Sequence, residues 1–514
     1  VNAFIEIIAQ LVEAIPPGVW LQQHFFPFST LSEPIGRLFD ACIFRQSADG
    51  ALGILWVEFE GVTDILVVPF RLARYNEDSD LITLTPWSLR DASSDSEFFE
   101  AWRVATHMRN PLPTAKNGVL KHRYCNGEPT LLALGIWSDS KYSLVRVESQ
   151  DAFKIRRTLS RTHAESLEVE ILEYLTQQTL FLNFPRLISV YDYSGQQVPR
   201  ASVAISMKYL QNHGSLWQDL IARIQHARFP EKMRERSSRE SWEYIIRKIE
   251  TIGRLTGEFH RAMTYARDNA ELTPESNTGE VRRKWIFELE HKLQTTLKQF
   301  EPVRQRFPGY FKLFDSLALT AEKLIQSVRS IHNLGLLIRT HGHLHLGQIL
   351  IDGDSLFLLD YDNDSFDEPH FRRLKQPCLN DLASLILSLK YAWFMTERTS
   401  YAPTLEDFID KESEFGKHVT TTKSHFSEPC SYAPQLAYLE ATLVKYYKNA
   451  IFEDPASTEL VPLAEKDFEA LFTFCFFTRL LKETLRDFTA GNPRCKISLR
   501  ILREFLADPD VDSP

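Results

Sequence analysis

Between Leu337 and Asp360 the chain reads LIRTHGHLHLGQILIDGDSLFLLD, and most of its candidate chemistry lies there. His341, His343 and His345 alternate, Gln348 follows, and Asp360 closes an apolar run. The runs ILI and LFLLD bracket Asp352-Gly353-Asp354, which predicts two strands and a tight turn; LLI before the histidines predicts another strand. A carboxylate ending a buried strand, with a carboxamide one strand earlier, suits Mg²⁺ held on a nucleotide's phosphates. On periodicity alone the same letters fit a hairpin with core histidines. Three histidines at i, i+2 and i+4 on one strand would point the same way, so a zinc set is a further alternative.

The spacing favours the first reading. His343 and Gln348 are five positions apart, as are the base and the amide metal ligand of kinase-type catalytic loops, and Asp360 follows on the next apolar strand. The stretch resembles the H-G-D-x-H-L-G-Q loop of the maltokinases, relatives of the aminoglycoside and choline kinases. His343 stands where that family has its catalytic Asp. A second block, in register with the first, resembles the family's D-F-E-G-E-P and E-R-R segments. It keeps Asp360, Glu368-Pro369, Arg372-Arg373, Lys375, Pro377, Leu379, Asp381 and Tyr391-Ala392, and it departs by extra acidic residues around Asp362 and Asp364. The resemblance implies catalytic roles for His343, Gln348 and Asp360, and Mg²⁺ binding by Gln348 and Asp360 with Asp362 as a further ligand. Asp381, early in a helix, is read as a cap. A neutral imidazole, with an ordinary pKa near ~6.5, can accept a proton as Asp does, but it is bulkier and loses its lone pair when protonated. Impaired or altered activity is therefore the expectation.

These residues need elements to position them. HAESLEVEILEYLTQ has the period of an amphipathic helix carrying Glu168, and AFKIRR predicts a strand carrying Lys154. In the resemblance Lys154 holds α- and β-phosphates and pairs with Glu168, while the hydroxyl-rich loop with Ser140 and Ser143 lies against phosphate. FPRLISVYDYSG and ASVAISMKYLQ predict two more strands; Met207 and Tyr209 in the segment after them are where backbone would meet adenine. Residues 215–335 read as helices, with RFPEKMRERSSRE as a solvated charged loop. Two helices at 433–450 and 465–488 complete the chain. The second carries Glu483, Arg486 and Asp487 where the maltokinases hold sugar, and its changed letters put maltose itself in doubt.

The N-terminal part reads as a separate unit. NAFIEIIAQLVEAI predicts a helix closed by Pro16-Pro17-Gly18, and ALGILWVEFE and ILVVPFRLARY predict an antiparallel hairpin around Gly61–Asp64. Glu58 and Glu60 alternate with Val57 and Phe59 and mark a solvated face. The expected architecture is α+β: a small α/β cap of maltokinase type at residues 1–115, then a protein-kinase-like bilobal fold with a β-rich lobe at 116–210 and a helical lobe at 211–514.

Composition narrows the function class. The chain has 514 residues, 44% of them hydrophobic, and a formal net charge of −9. That charge argues against a nucleic-acid binder. Six cysteines without a C-x-x-C pair argue against a disulfide scaffold. No apolar run is long enough for a membrane span, and VNAFIEIIAQ lacks a basic leader and cleavage site, so a cytoplasmic protein is expected. The resemblance implies an ATP- and Mg²⁺-dependent kinase of maltose or a related sugar in trehalose–glycogen metabolism, with a trehalose synthase-type enzyme as a partner. A binding protein without turnover on the same fold, and a kinase of another small alcohol or aminosugar, remain open.

Overall fold

The computed structural model describes residues 2–23, 33–74, 81–84, 86–124, 133–138, 142–147, 151–161, 166–195, 197–228, 235–302, 311–361, 372–396, 433–489, 492 and 494–506. Its contacts divide the chain into two compact units, Val1–Gln211 and Asn212–Pro514.

In the first unit, α1 (Asn2–Ala14) and α2 (Pro17–Gln22) precede β1 (Gly36–Ser47), β2 (Gly50–Phe59), β3 (Ile65–Arg74), β4 (Ile82–Leu84), β5 (Trp87–Asp91) and α3 (Ser96–Met108). Then come β6 (Leu112–Pro113), β7 (Val119–Tyr124), β8 (Ala133–Ser138), β9 (Tyr142–Val147), β10 (Asp151–Arg156), β11 (Thr158–Leu159), α4 (Leu167–Gln178), β12 (Leu187–Gly195) and β13 (Val198–Lys208). One antiparallel sheet runs β1-β2-β3-β5-β4, with β11 paired to β3; a second runs β6-β7-β12-β13-β10-β9-β8. Pro17 opens α2 at a position whose N–H would have no helical partner.

The sequence of β2 is apolar at nearly every position because both of its faces are covered. Leu55 and Val57 pack with Val68 and Phe70 against Ile8, Leu11 and Trp20. Ile54, Trp56 and Val67 face the other way and join Trp102, Phe153 and Tyr191. The two sheets thus share a core, pinned by a buried carboxylate. Asp40, 1% exposed, accepts from Thr114 Oγ1 (2.6 Å), Tyr193 OH (2.8 Å), Ala41 N (2.8 Å) and Lys116 N (2.9 Å). Tyr193 also stacks on Trp56 at 4.3 Å. Glu58, by contrast, is half-buried and meets Arg161 at 2.5 Å, and Glu60 is exposed.

The second unit is mainly helical: α5 (Leu216–Arg228), α6 (Glu235–Thr264), α7 (Gly279–Gln299), α8 (Phe311–Ser330), α9 (Leu379–Met395), α10 (Ala433–Phe452), α11 (Glu465–Thr489) and α12 (Cys495–Leu506). Between α8 and α9 lie β14 (Leu337–Ile338), a 3₁₀ turn (Leu346–Gln348), β15 (Ile349–Asp352), β16 (Ser355–Leu358) and β17 (Gln376–Pro377). β14 pairs with β17, and β15 with β16 across Gly353, whose φ of +58° suits a tight hairpin turn. The α6–α10 contact is close because Gly253 and Gly257 share a face of α6. A Cβ at Gly253 would lie 2.5 Å from Leu443 O, and one at Gly257 2.6 Å from Ala450 Cβ. His260 continues that face.

One expectation is corrected: the charged run read as a loop is helical from Glu235 onward. Its Arg239–Glu243 pair at i, i+4 supports an exposed helical start. Among the described residues no helix is long and apolar enough to cross a membrane.

Removing the Asp40 carboxylate leaves two backbone N–H groups and two hydroxyls without their acceptor. Asp40→Ala is expected to destabilise the first unit by about 3 kcal/mol or more, measured as a fall in the denaturant midpoint, while Glu60→Ala leaves it unchanged within about 0.5 kcal/mol.

Candidate functional site

The loop after β14 is held from outside by one carboxylate. Asp381, 1% exposed near the start of α9, accepts from His341 N (2.8 Å) and Gly342 N (2.9 Å). It also accepts from His260 Nε2 at 3.0 Å, and the other ring nitrogen of His260 accepts from Tyr447 OH at 3.0 Å. Burial alone would raise the Asp381 carboxyl; the His260 bond, the two histidine rings and the Gly342 N–H outweigh it and hold the pKa below 3.8. Asp381 is therefore more than a helix cap, which corrects the sequence reading. Gly342 has a φ of +79°, a conformation that suits glycine at this sharp turn.

The same loop aims Asp360. His341, fully buried, donates from Nε2 to Leu359 O at 2.7 Å, and Leu359 N donates to Gln348 O at 2.9 Å. Leu359 is thus tied on both sides, and the next residue, Asp360, takes a φ of +60°. For a residue with a Cβ this is a strained position, of the kind that surrounding bonds must enforce. Its carboxylate accepts from Gln348 Nε2 at 3.2 Å. Gln348 and Asp360 are therefore side by side at the two open ends of the β15–β16 hairpin.

His345 shapes the loop. Its Nδ1 accepts from Gly347 N at 3.0 Å, capping the 3₁₀ turn, and Leu346 N donates to Ser388 Oγ at 3.1 Å. A Cβ at Gly347 would fall 2.8 Å from the His345 ring, so this close wrap requires glycine. Burial, then the charges of Arg479, His341 and Arg486, lower the His345 pKa to about 3.

His343 turns toward α11. Arg479 donates from its guanidinium to His343 Nδ1 at 2.8 Å. A nitrogen that accepts this bond carries no proton, so the ring's proton is on Nε2. Arg479 also meets Glu483 at 2.6 Å, and Glu483 pairs in turn with Arg486. These residues line a pocket of about 300 Å³, with His343, Trp217, Tyr391 and Asp487 in its wall. Tyr391 OH donates to Asp487 at 3.1 Å, and Asn492 holds the other carboxylate oxygen at 3.2 Å.

The zinc alternative is excluded for the three histidines. Each ring nitrogen facing a partner already serves a different one, and among the described residues no group of three His, Cys, Asp or Glu could hold a metal. The Gln348–Asp360 pair suits Mg²⁺ better: it offers hard oxygen donors, and that ion needs only one or two protein ligands beside phosphate and water.

In the first unit, Lys154 on β10 and Glu168 on α4 form a buried pair, with Nζ 2.8 Å from each carboxylate oxygen. Met207 is buried near the end of β13, and Tyr209 follows the strand half-exposed. Ser143 is in β9, and its side chain lies outside the described residues, as do Ser140 and Asp362 entirely. Sequence reasoning did not single out Arg479, Trp217 or Tyr391 as pocket residues. Arg479 carried one usable signal, its i, i+4 spacing to Glu483 on one face of α11.

Two stability tests follow the wiring of the loop. Asp381→Ala should cost about 3–5 kcal/mol, since two loop N–H groups and a buried imidazole lose their acceptor, read as a lower urea midpoint at neutral pH. Because the folded pKa of Asp381 lies below 3.8, its contribution is complete above that pH and is lost as pH falls through the folded value. His345 acts in a higher window. Its folded pKa of about 3 lies under its ordinary 6.5, so the unfolded chain binds the extra proton between them, and stability falls as pH drops from 6.5. His345→Gln should flatten the dependence of the midpoint between pH 6.5 and 4.

No family model matches the chain, and no curated protein matches it. Among solved structures, a glucosamine kinase in complex with glucosamine, ADP and inorganic phosphate is similar over 96% of this chain and 98% of its own, with 16% identity and a TM-score of 0.58. A second glucosamine kinase crystal form gives 15% identity and a TM-score of 0.58 over 96% of this chain and 99% of that one. A third gives 16% and 0.55 over 96% and 98%. The chain thus shares the α+β fold of the glucosamine kinase structures.

Proposed function

We propose that the chain is an ATP- and Mg²⁺-dependent phosphotransferase that acts on a hydroxyl group of a small sugar. The observation that carries this reading is the hairpin itself: Asp360, held at a φ of +60° against Gln348, follows Leu359, which His341 ties to the loop that carries His343 into the pocket. A carboxylate fixed in a strained backbone beside an amide, whose neighbour Gly347 lines a ligand-sized cavity, is an arrangement that suits phosphoryl transfer. The buried Lys154–Glu168 pair supports nucleotide binding in the first unit, where Lys154 would meet phosphate oxygens and Glu168 would orient it. Ser140 and Ser143 would add hydroxyls there, and Met207 and Tyr209 would lie along the adenine.

When bound, Mg²⁺ would neutralise charge on the phosphates; Gln348 and Asp360 would hold it, with Asp362 as a further ligand. His343 does other work than the Asp of the maltokinases. With its proton on Nε2, it offers a donor to the acceptor hydroxyl and no lone pair. As the acceptor oxygen bonds to the γ-phosphorus and the bond to the bridging oxygen breaks, the hydroxyl proton leaves to a phosphoryl oxygen. The loose transition state makes an early base dispensable, at a loss of about 10²–10⁴ in rate. The resemblance implies maltose or a related sugar as acceptor, and a trehalose synthase-type enzyme as partner.

The Arg479–His343 bond also favours a second reading, a protein that binds nucleotide and sugar without turnover. Both are tested by ATP consumption against maltose, glucose, glucosamine, glucuronate and trehalose. The kinase reading predicts slow turnover with one of them, loss of at least ~10²-fold in Asp360→Ala, and faster turnover in His343→Asp. Binding of ATP with no consumption by wild type or by His343→Asp would favour the second reading. If neither variant consumes ATP and wild type does not bind it, both fail.

A further inference from the structure

The wall of the pocket is asymmetric in charge. Its two carboxylates are used up inside it. Glu483, 7% exposed, is clasped between Arg479 and Arg486, and Asp487, 3% exposed, takes bonds from Tyr391 and Asn492. Burial, the largest influence on Asp487, raises its carboxyl above the ordinary range. Arg479 and Arg486 are engaged in that clasp, and the third cation of the wall is Arg494. Arg494 is exposed, with its guanidinium 5.8 Å from the ring centre of Trp217. Three arginines thus line a cavity with two carboxylates, and His343, bonded to Arg479 through Nδ1, adds no anion.

Such a lining carries more cationic than anionic side chains. A ligand that fills it must bring acceptors, and an ammonium group would meet guanidinium charge. Trp217 offers a flat, half-buried face of the kind on which the apolar side of a sugar ring rests.

We propose that the acceptor is anionic: a hydroxylated ring bearing a carboxylate, with its ring against Trp217 and its carboxylate on Arg494. The uronic acids are the simplest members of this class. The proposal rests on reading the pocket as the acceptor site. It sets this chain apart from the solved glucosamine kinase, whose bound sugar carries an amine. Arg494 is the specificity-determining residue: its bond to a carboxylate is charge-assisted, and glucose or glucosamine would present it no negative partner.

The test is calorimetric binding of three rings of like size and different charge (D-glucuronate, D-glucose and D-glucosamine) to the full chain, without nucleotide. Glucuronate is expected to bind at least ~10-fold more tightly than glucosamine. Arg494→Gln should weaken glucuronate about 10-fold and leave glucose within about 2-fold, a selective change that a merely structural role would not produce. Trp217→Ala should weaken both rings. Glucosamine binding as tightly as glucuronate, an equal effect of Arg494→Gln on both sugars, or no binding by any of the three would overturn the proposal. ATP binding is measured separately on the same sample. If ATP does not bind while the glucuronate preference holds, the kinase reading falls and the anionic site stands.

Discussion

The candidate site depends on one buried carboxylate. Asp381 is almost wholly out of water, and a lone charge there would be costly. It is compensated by two backbone N–H groups of the loop and by His260, which is itself held through Tyr447. The compensation works in both directions. The carboxylate is tolerable because the loop wraps it, and the loop keeps its shape because the carboxylate is there. His260 reaches it because Gly253 and Gly257 let α10 lie close against the same face of α6. Helix packing far from the pocket therefore sets the geometry of the loop.

From that anchor the order passes outward. His341 is fixed by its backbone on Asp381 and uses its ring to hold Leu359, so the turn at Asp360 is determined from the loop opposite. His345 caps the turn that presents Gln348. Of the three histidines, His341 lies outside the pocket, His345 lines it while capping the turn, and His343 lines it with its Nδ1 on Arg479, which leaves the ring's proton on Nε2. The ring there is neutral and tied to a cation. On the proposed reading, this change shifts the electrostatic character of the acceptor end.

Much of the fold was legible because the pattern and the burial agree. The hairpin of β2 and β3, the strands with Lys154 and Met207, and the long helices of the second unit follow from periodicity and turn residues. β1 was not legible: Asp40 interrupts its apolar run, and two register shifts break its alternation. The helical start of α6 was hidden by its charges, which serve an exposed helix as well as a loop. In the site, the five-residue spacing pointed to His343 and Gln348, and the strand-closing carboxylate to Asp360. What local spacing could not give is long-range partnership. Asp381 meets the loop from 40 positions away and Arg479 meets His343 from 136, and each looks locally like a cap or a surface pair.

The central claim is that the β15–β16 hairpin is a nucleotide–metal site held by this network. Calorimetric titration of ATP, with and without Mg²⁺, into wild type and Asp360→Ala tests it most directly. The account predicts that wild type binds ATP more tightly when Mg²⁺ is present, and that Asp360→Ala abolishes this dependence on the metal. Wild type that binds no ATP, or binds it equally with and without Mg²⁺, would contradict the account.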